Sequence, residues 1–252
     1  MRSLAVLLFA ARGAAASPSD LVTRPLVLDE DQVAAELVIE SNLASNGGFA
    51  RPLSFAPDLW IGITPQLTLG IIHSDLSVDR IAPGASICVR RDLLLCDRGY
   101  HGGGLDALYG VRAGQIDLAA HARFLIRDLD PVKPAVTFGA RARWHAGRLA
   151  ITSDPFVQLG LGNNDRGNRA QLWLPIVVAM QPTSRLSFEL HTGWNSDLAE
   201  ASDGWHIPAA LGVRAMATPQ LELGGVIGFT SLIGPQNNPK QRVAFVSIGW
   251  RT

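Results

Sequence analysis

Long apolar runs are scarce in this 252-residue chain. The first residues contain a short one: Arg2 precedes the apolar residues 4–11, and small residues 14–16 lead to Ser17. This arrangement predicts a secretory signal peptide over residues 1–16. No later run reaches the roughly 18 apolar residues that a membrane-spanning helix needs. If the chain lies in a membrane, it must therefore cross the bilayer with strands.

An excess of either charge sign is also absent. The chain has 22 basic and 22 acidic side chains, and removal of residues 1–16 takes away two basic ones, Arg2 and Arg12. The remaining net charge of about −2 argues against nucleic acid as a partner, because phosphate binding needs a basic surface. The sequence therefore predicts no nucleic-acid partner.

Cysteine is nearly missing, and its two examples are Cys88 and Cys96. Both lie in a polar, glycine-rich stretch over residues 75–103. In an exported protein a disulfide that closes this loop is favoured over a metal site, because a metal needs further ligands and only His101 is close. We therefore predict a disulfide between the two cysteines, and neither a metal nor a cofactor.

Alternation of apolar and polar residues, by contrast, covers most of the chain. In one strand the apolar positions are Val136, Phe138, Ala140, Ala142 and Trp144, and the positions between them are Thr137, Gly139, Arg141, Arg143 and His145. Period-two alternation places the two sets on opposite faces of a strand. Strands of about ten residues cross a bilayer at a tilt, which predicts a barrel with lipid outside and polar groups inside.

Twelve such strands can be placed along the chain. Their predicted ranges are 32–42, 57–63, 67–74, 104–113, 116–127, 134–145, 148–162, 169–180, 185–194, 205–216, 221–232 and 242–251. Residues 23–28 lead into the first strand, and short turns alternate with longer loops throughout. An even strand number with this alternation is typical of a bacterial outer-membrane barrel with both ends in the periplasm. We predict an all-β, transmembrane, antiparallel up-and-down β-barrel as one domain over residues 17–252, with residues 75–103 as an extracellular loop long enough to fold inward.

These features resemble a Gram-negative outer-membrane β-barrel of porin-like plan. The resemblance rests on the signal segment, the twelve strands, the alternating connections and the closing strand over residues 243–252. It implies a bacterial outer-membrane location, lipid around the wall and help from the barrel-assembly machinery during insertion, and it leaves the oligomeric state open. Members of this class usually end on an aromatic residue, whereas here Arg251 and Thr252 follow Trp250.

Tryptophans at predicted strand ends suggest an aromatic girdle at the membrane boundaries. Trp144 and Trp250 fall at predicted periplasmic ends, and Trp194 and Trp205 fall at predicted outer ends. Trp60 and Trp173 have the opposite parity and are predicted to point inward.

Charged side chains at inward positions suggest what the lumen does. The predicted lumen-lining residues are Arg112, Asp117, His121, Arg123, Arg141, Arg143, Asp154, Arg185, Glu189, Arg214 and Glu222. So many charges need water or close pairing, because an unpaired buried charge costs several kcal/mol. One interpretation is a channel for passive diffusion of small polar solutes, in which a basic wall favours anions. This wall consists of Arg112, Arg123, Arg141 and Arg143. The other is a non-conducting structural or surface-display barrel, whose interior is filled by salt bridges to acids that include Asp106 and Asp117.

A third hypothesis, an outer-membrane lipid hydrolase, depends on Ser187, Glu189 and His191. These residues share the inward parity and could supply a nucleophile and a base. Alternate residues of one strand lie about 7 Å apart, which predicts no direct hydrogen bonds between them. The histidines also lack the tight spacing of metal sites. We therefore predict that the protein is not an enzyme.

Overall fold

The computed structural model describes residues 21–43, 53–75, 84–90, 98–235, 237 and 242–252. Its strands are β1 (Val33–Asn42), β2 (Leu53–Thr64), β3 (Leu67–Ile72), β4 (Ile87–Arg90), β5 (Gly103–Ala113), β6 (Ile116–Leu129), β7 (Val132–Ala146), β8 (Leu149–Ser153), β9 (Phe156–Gly160), β10 (Gln171–Thr183), β11 (Leu186–Asp197), β12 (Trp205–Met216), β13 (Leu221–Ile233) and β14 (Arg242–Arg251). Single turns of 3-10 helix lie at Asn164–Arg166 and Leu198–Glu200. None of the described residues forms a helix long and apolar enough to cross a membrane.

The described strands close into an antiparallel barrel with twelve wall positions. β1 closes the barrel, because it pairs with β2 on one side and with β14 on the other. β8 and β9 share one wall position, since both pair with β7 and β10 in a continuous register. The break between them falls at Asp154 and Pro155, where proline has no N–H to donate to a neighbouring strand. The predicted all-β, twelve-stranded barrel is confirmed.

The wall is apolar outside and polar inside. Phe138 and Leu211 are 57% and 66% exposed on the outer face, whereas Asp117 and His121 are 2% and 4% exposed on the inner face. Water outside this wall would leave large apolar groups solvated while charges were buried. Hydrocarbon around the wall accounts for both observations.

A charge on the outer face should therefore destabilise the barrel. Leu211 lies in the middle of β12, so Leu211→Arg is expected to lower the free energy of unfolding by about 2–4 kcal/mol. Leu198→Arg is the matched control at the outer rim, where the cost should be at most about 1 kcal/mol. Equilibrium unfolding in urea from lipid vesicles measures both values. Equal costs for the two variants would contradict the placement of lipid around β12.

The connection between β6 and β7 is shorter than the sequence predicts. It lies at the outer end of the barrel, opposite the end with the short turns. The predicted strands 116–127 and 134–145 leave residues 128–133 as a loop. In the structure β6 runs to Leu129 and β7 starts at Val132. Asp130 and Pro131 alone separate the two strands, and proline suits such a turn because its ring presets the backbone angle. The prediction that short and long connections alternate without a break is wrong at this position.

Part of the predicted long loop forms β4. This strand pairs with the outer end of β2, beyond the residues that pair with β3, so it extends the wall at the outer rim. Cys88 lies in β4, but Cys96 lies outside the described residues, and the disulfide stays a prediction. The predicted signal peptide over residues 1–16 also lies outside the described residues.

Candidate functional site

Among the residues that the structure describes, three adjoining cavities follow one another through the barrel. The outer cavity, of about 250 Å³, lies among the outer strand ends and is lined by residues that include Glu40, Ser74 and Arg127. The middle cavity, of about 210 Å³, also touches Ser74 and reaches Arg141 and Arg214. These two arginines also line the inner cavity, of about 200 Å³, near the short-turn end. A solute that follows the cavities would pass Ser74 first and the two arginines second.

The outer and middle cavities meet where Ser74 and Asp75, at the start of the long loop, turn into the lumen. The Ser74 hydroxyl donates a hydrogen bond to Asp58 of β2. The Asp75 carboxylate accepts one from Arg127 at 2.7 Å, and its backbone carbonyl accepts one from Arg123 at 3.2 Å. Charged side chains of β2 and β6 therefore hold the beginning of this loop inside the bore.

Residues 21–31 cross the barrel interior at the short-turn end. The Val22 N–H donates to Gln181 of β10 at 3.1 Å, and the Leu28 N–H donates to Thr68 of β3 at 2.8 Å. β10 and β3 lie on opposite sides of the wall, and both Val22 and Leu28 are buried. These residues, called the N-terminal segment below, therefore span the bore. The sequence predicts them only as a lead-in to β1, because no local pattern marks a segment that enters a lumen.

Arg24 joins the N-terminal segment to an ion-pair network. Its guanidinium donates to Glu222 of β13 at 2.6 Å and lies 3.4 Å from Sδ of Met216. Arg214 of β12 donates to the same Glu222 carboxylate at 3.1 Å, and its Nε lies 2.9 Å from Glu189 of β11. The segment is thus tied to one wall by a carboxylate that two guanidinium groups share.

A second network surrounds Asp106 of β5, which is buried beside the middle cavity. Its carboxylate accepts hydrogen bonds from Trp60 Nε1 and Arg123 Nε, each at 2.8 Å, and lies 2.7 Å from His121 Nε2. The other ring nitrogen of His121 lies 2.9 Å from Asp154. These contacts link β2, β5, β6 and the break between β8 and β9 through the barrel interior.

The other predicted lumen residues occupy different surroundings. Arg112 donates to Asp117 at 2.8 Å and also to a backbone carbonyl of the N-terminal segment. Arg143 donates to Thr152 at 3.1 Å and to another carbonyl of that segment. Arg185 is exposed in the turn between β10 and β11. The predicted basic wall thus includes arginines with acidic partners as well as arginines beside the inner cavity.

Ser187, Glu189 and His191 do not form a catalytic triad. His191 Nε2 lies 2.9 Å from Glu189 Oε2, so the prediction that these alternate residues cannot bond directly is wrong. The glutamate side chain is long enough to span the gap along the strand. Among the described residues the buried Ser187 hydroxyl has no hydrogen-bond partner, so nucleophile and base are not joined. No group of three His, Cys, Asp or Glu side chains in the described ranges is placed to hold a metal ion.

The four tryptophans of the predicted aromatic girdle lie near strand ends. Trp144 and Trp250 are partly exposed near the short-turn ends of β7 and β14, and Trp194 and Trp205 lie near the outer ends of β11 and β12. Trp173 points inward, where its ring stacks on Phe156 with centroids 6.1 Å apart. Contact between the four end residues and membrane lipid stays a prediction.

A closed antiparallel barrel with twelve wall positions, an apolar exterior and a charged interior is the fold of porin-like outer-membrane β-barrels. Comparison with solved structures agrees. The chain is similar to the NanC porin at 10% identity and a TM-score of 0.59, and to the KdgM porin at 7% identity and a TM-score of 0.55. Each comparison covers 86% of this chain and 98% of the porin chain. An outer-membrane channel from Pseudomonas putida F1 has 13% identity and a TM-score of 0.55, over 90% of this chain and 97% of that one. At these identities the likeness extends to the fold alone. No protein-family model matches the chain, and no curated protein does.

Proposed function

We propose that the protein is a bacterial outer-membrane channel for passive diffusion of small polar solutes, with a preference for anions. The observation that carries the proposal is the series of three cavities between the outer rim and the short-turn end. Their charged linings are favourable only with water around them or with close partners. A hydrated, charge-lined lumen across a membrane conducts small solutes.

Arginines where the middle and inner cavities meet support the anion preference. Arg141 and Arg214 line both cavities, and Arg143 lines the inner one. A guanidinium keeps its charge at physiological pH and binds carboxylate or phosphate oxygens through paired N–H groups. Glu189 and Glu222 also line the inner cavity and offset part of this charge, so we expect a moderate preference.

In this proposal the N-terminal segment holds the short-turn end of the channel closed. Its support is the path of the segment from Val22 beside β10 to Asp31, whose N–H donates to the Gly62 carbonyl of β2 at 3.0 Å. Passage then requires displacement of the segment. The resting protein should show low conductance with occasional larger openings.

The second candidate is a non-conducting barrel that displays its outer loops. The ion pairs and the N-terminal segment favour this reading, because together they occupy much of a narrow bore. Planar-bilayer recordings separate the two candidates: discrete current steps support the channel, and a folded, inserted but silent protein supports display. Turnover of a lipid or ester that depends on Ser187 would instead support a hydrolase.

Replacement of Arg141 and Arg143 together by Ala is expected to weaken the anion preference. Two positive charges leave the lining of the inner cavity, which reduces its attraction for anions. The reversal potential under a salt gradient measures the preference, and it should move toward that of a non-selective channel. Arg166→Ala, in an exposed outer turn, is the matched control and should leave the potential unchanged. An unchanged potential in the double variant would remove both arginines from the mechanism.

We also propose the steps that bring the chain to this location. The charged start, apolar core and small-residue site of residues 1–16 support export by a signal peptide. The short spacing of Cys88 and Cys96 along the chain supports a disulfide formed in the oxidising periplasm. The barrel itself supports insertion by the barrel-assembly machinery.

A further inference from the structure

Wall side chains form hydrogen bonds with the backbone of the N-terminal segment. Gln181 and Thr68 accept hydrogen bonds from the N–H groups of Val22 and Leu28. Every residue except proline offers the same backbone N–H group, so these two hydrogen bonds do not require a particular side chain. Main-chain hydrogen bonds are also a common source of affinity where proteins bind peptides.

Wall arginines complete the backbone contacts from another side. Arg112 donates to the carbonyl of Thr23, and Arg143 donates to the carbonyl of Arg24. A guanidinium hydrogen bond to a carbonyl is stronger than a neutral one. Donors and acceptors of the wall therefore match both polar groups of a peptide backbone, on strands β3, β5, β7 and β10.

One side chain of the segment has a specific place in the wall. The Arg24 guanidinium lies between Glu222 and Met216, and Arg214 holds the far side of the Glu222 carboxylate. Pro25 follows directly, and a residue before proline favours an extended backbone. The contacts of Arg24 therefore fix which residue of the segment lies beside Glu222, while the backbone hydrogen bonds hold the other residues of the segment.

We propose that this part of the lumen is a binding site for a short oligopeptide that carries one arginine or lysine, and that the N-terminal segment is its built-in occupant. A peptide from outside the chain competes with the segment for the same wall groups. This inference adds a solute class to the proposed channel, but the binding of a peptide does not itself require conduction.

A labelled synthetic peptide of residues 21–31 tests the site. Fluorescence anisotropy measures its binding to the full-length Arg24→Ala variant, whose own segment has lost its ion pair, and to a variant that lacks residues 21–31. Saturable binding is expected to both, and weaker binding to the wild-type protein. A peptide with Arg24→Ala should bind at least about tenfold more weakly, because it loses a charge-assisted hydrogen bond. Arg24→Lys should lose less than Arg24→Ala.

A substitution in the two protein variants that bind the peptide, called receptors below, supplies the matched control. Glu222→Gln introduced into either receptor should remove most of the difference between the arginine and alanine peptides, because the carboxylate that recognises the guanidinium is gone. Non-specific uptake by detergent would not depend on Glu222 or Arg24. The inference is overturned if neither receptor binds the peptide saturably, or if the alanine peptide binds as tightly as the arginine peptide. Peptide binding by a barrel that carries no current would reject the channel and leave this site standing.

Discussion

Deletion of residues 21–31 is expected to raise the single-channel conductance several-fold. The segment crosses the bore between opposite walls, and its removal leaves the inner cavity open toward the short-turn end. It also removes one base, Arg24, and three acids at residues 29–31, a net loss of two negative charges. Recordings in planar bilayers measure the size of the current steps. A difference in SDS-gel migration between unheated and heated samples verifies that the variant is a folded barrel.

Two substitutions at Arg24 serve as graded controls for the deletion. Arg24→Ala removes the ion pair with Glu222 but keeps the backbone contacts, so we expect more frequent openings with part of the conductance increase. Arg24→Lys keeps the charge and should stay near the wild type. A folded deletion variant with the same step size as the wild type would contradict the role of the segment as a closure.

Asp106→Ala is expected to lower the free energy of unfolding by about 3–5 kcal/mol, the usual cost of removing one partner from a buried ion pair. The Asp106 carboxylate accepts hydrogen bonds from Trp60 and Arg123 and lies against His121. Without it, the guanidinium and the indole N–H remain in the barrel interior with no acceptor at that position. Equilibrium unfolding in urea from lipid vesicles measures the loss.

Asp165→Ala provides the comparison for this loss. Asp165 lies in an exposed outer turn, so its removal should change the unfolding free energy by no more than about 0.5 kcal/mol. A cost for Asp106→Ala as small as this would show that water, rather than the carboxylate, satisfies Arg123 and Trp60. The network would then be part of a wet lumen instead of a structural link.

Ion pairs and cavities occur side by side in this lumen. Some of its charged residues therefore fit a hydrated channel, and others fit an interior filled by salt bridges. Arg112 and Arg123 have acidic partners on neighbouring strands, and these pairs link β5 with β6. Arg141 lines both the middle and the inner cavity, beside the path that a solute would take. We expect substitutions of the first kind to act on stability and substitutions of the second kind on selectivity.

Local signals account for the correct parts of the fold prediction. Each strand shows its period-two alternation within about ten residues, and each face meets its own solvent, so the twelve wall positions and their inward faces can be read without knowledge of distant contacts. The short outer turn at Asp130 and Pro131 was missed because a proline and several charges also suit a longer loop. The bond between Glu189 and His191 was missed because backbone spacing says little about how far two side chains reach.

The amino-acid sequence by itself determined that this chain forms an all-β barrel with an apolar exterior and a charged interior, because side-chain alternation is a local property. Tertiary structure alone decided what lies inside. Closure of the wall brings Arg24 against Glu222, 198 residues further along the chain, and carries residues 21–31 across the bore. Such contacts depend on which walls face each other after the barrel closes, and no pattern within a single strand contains that information.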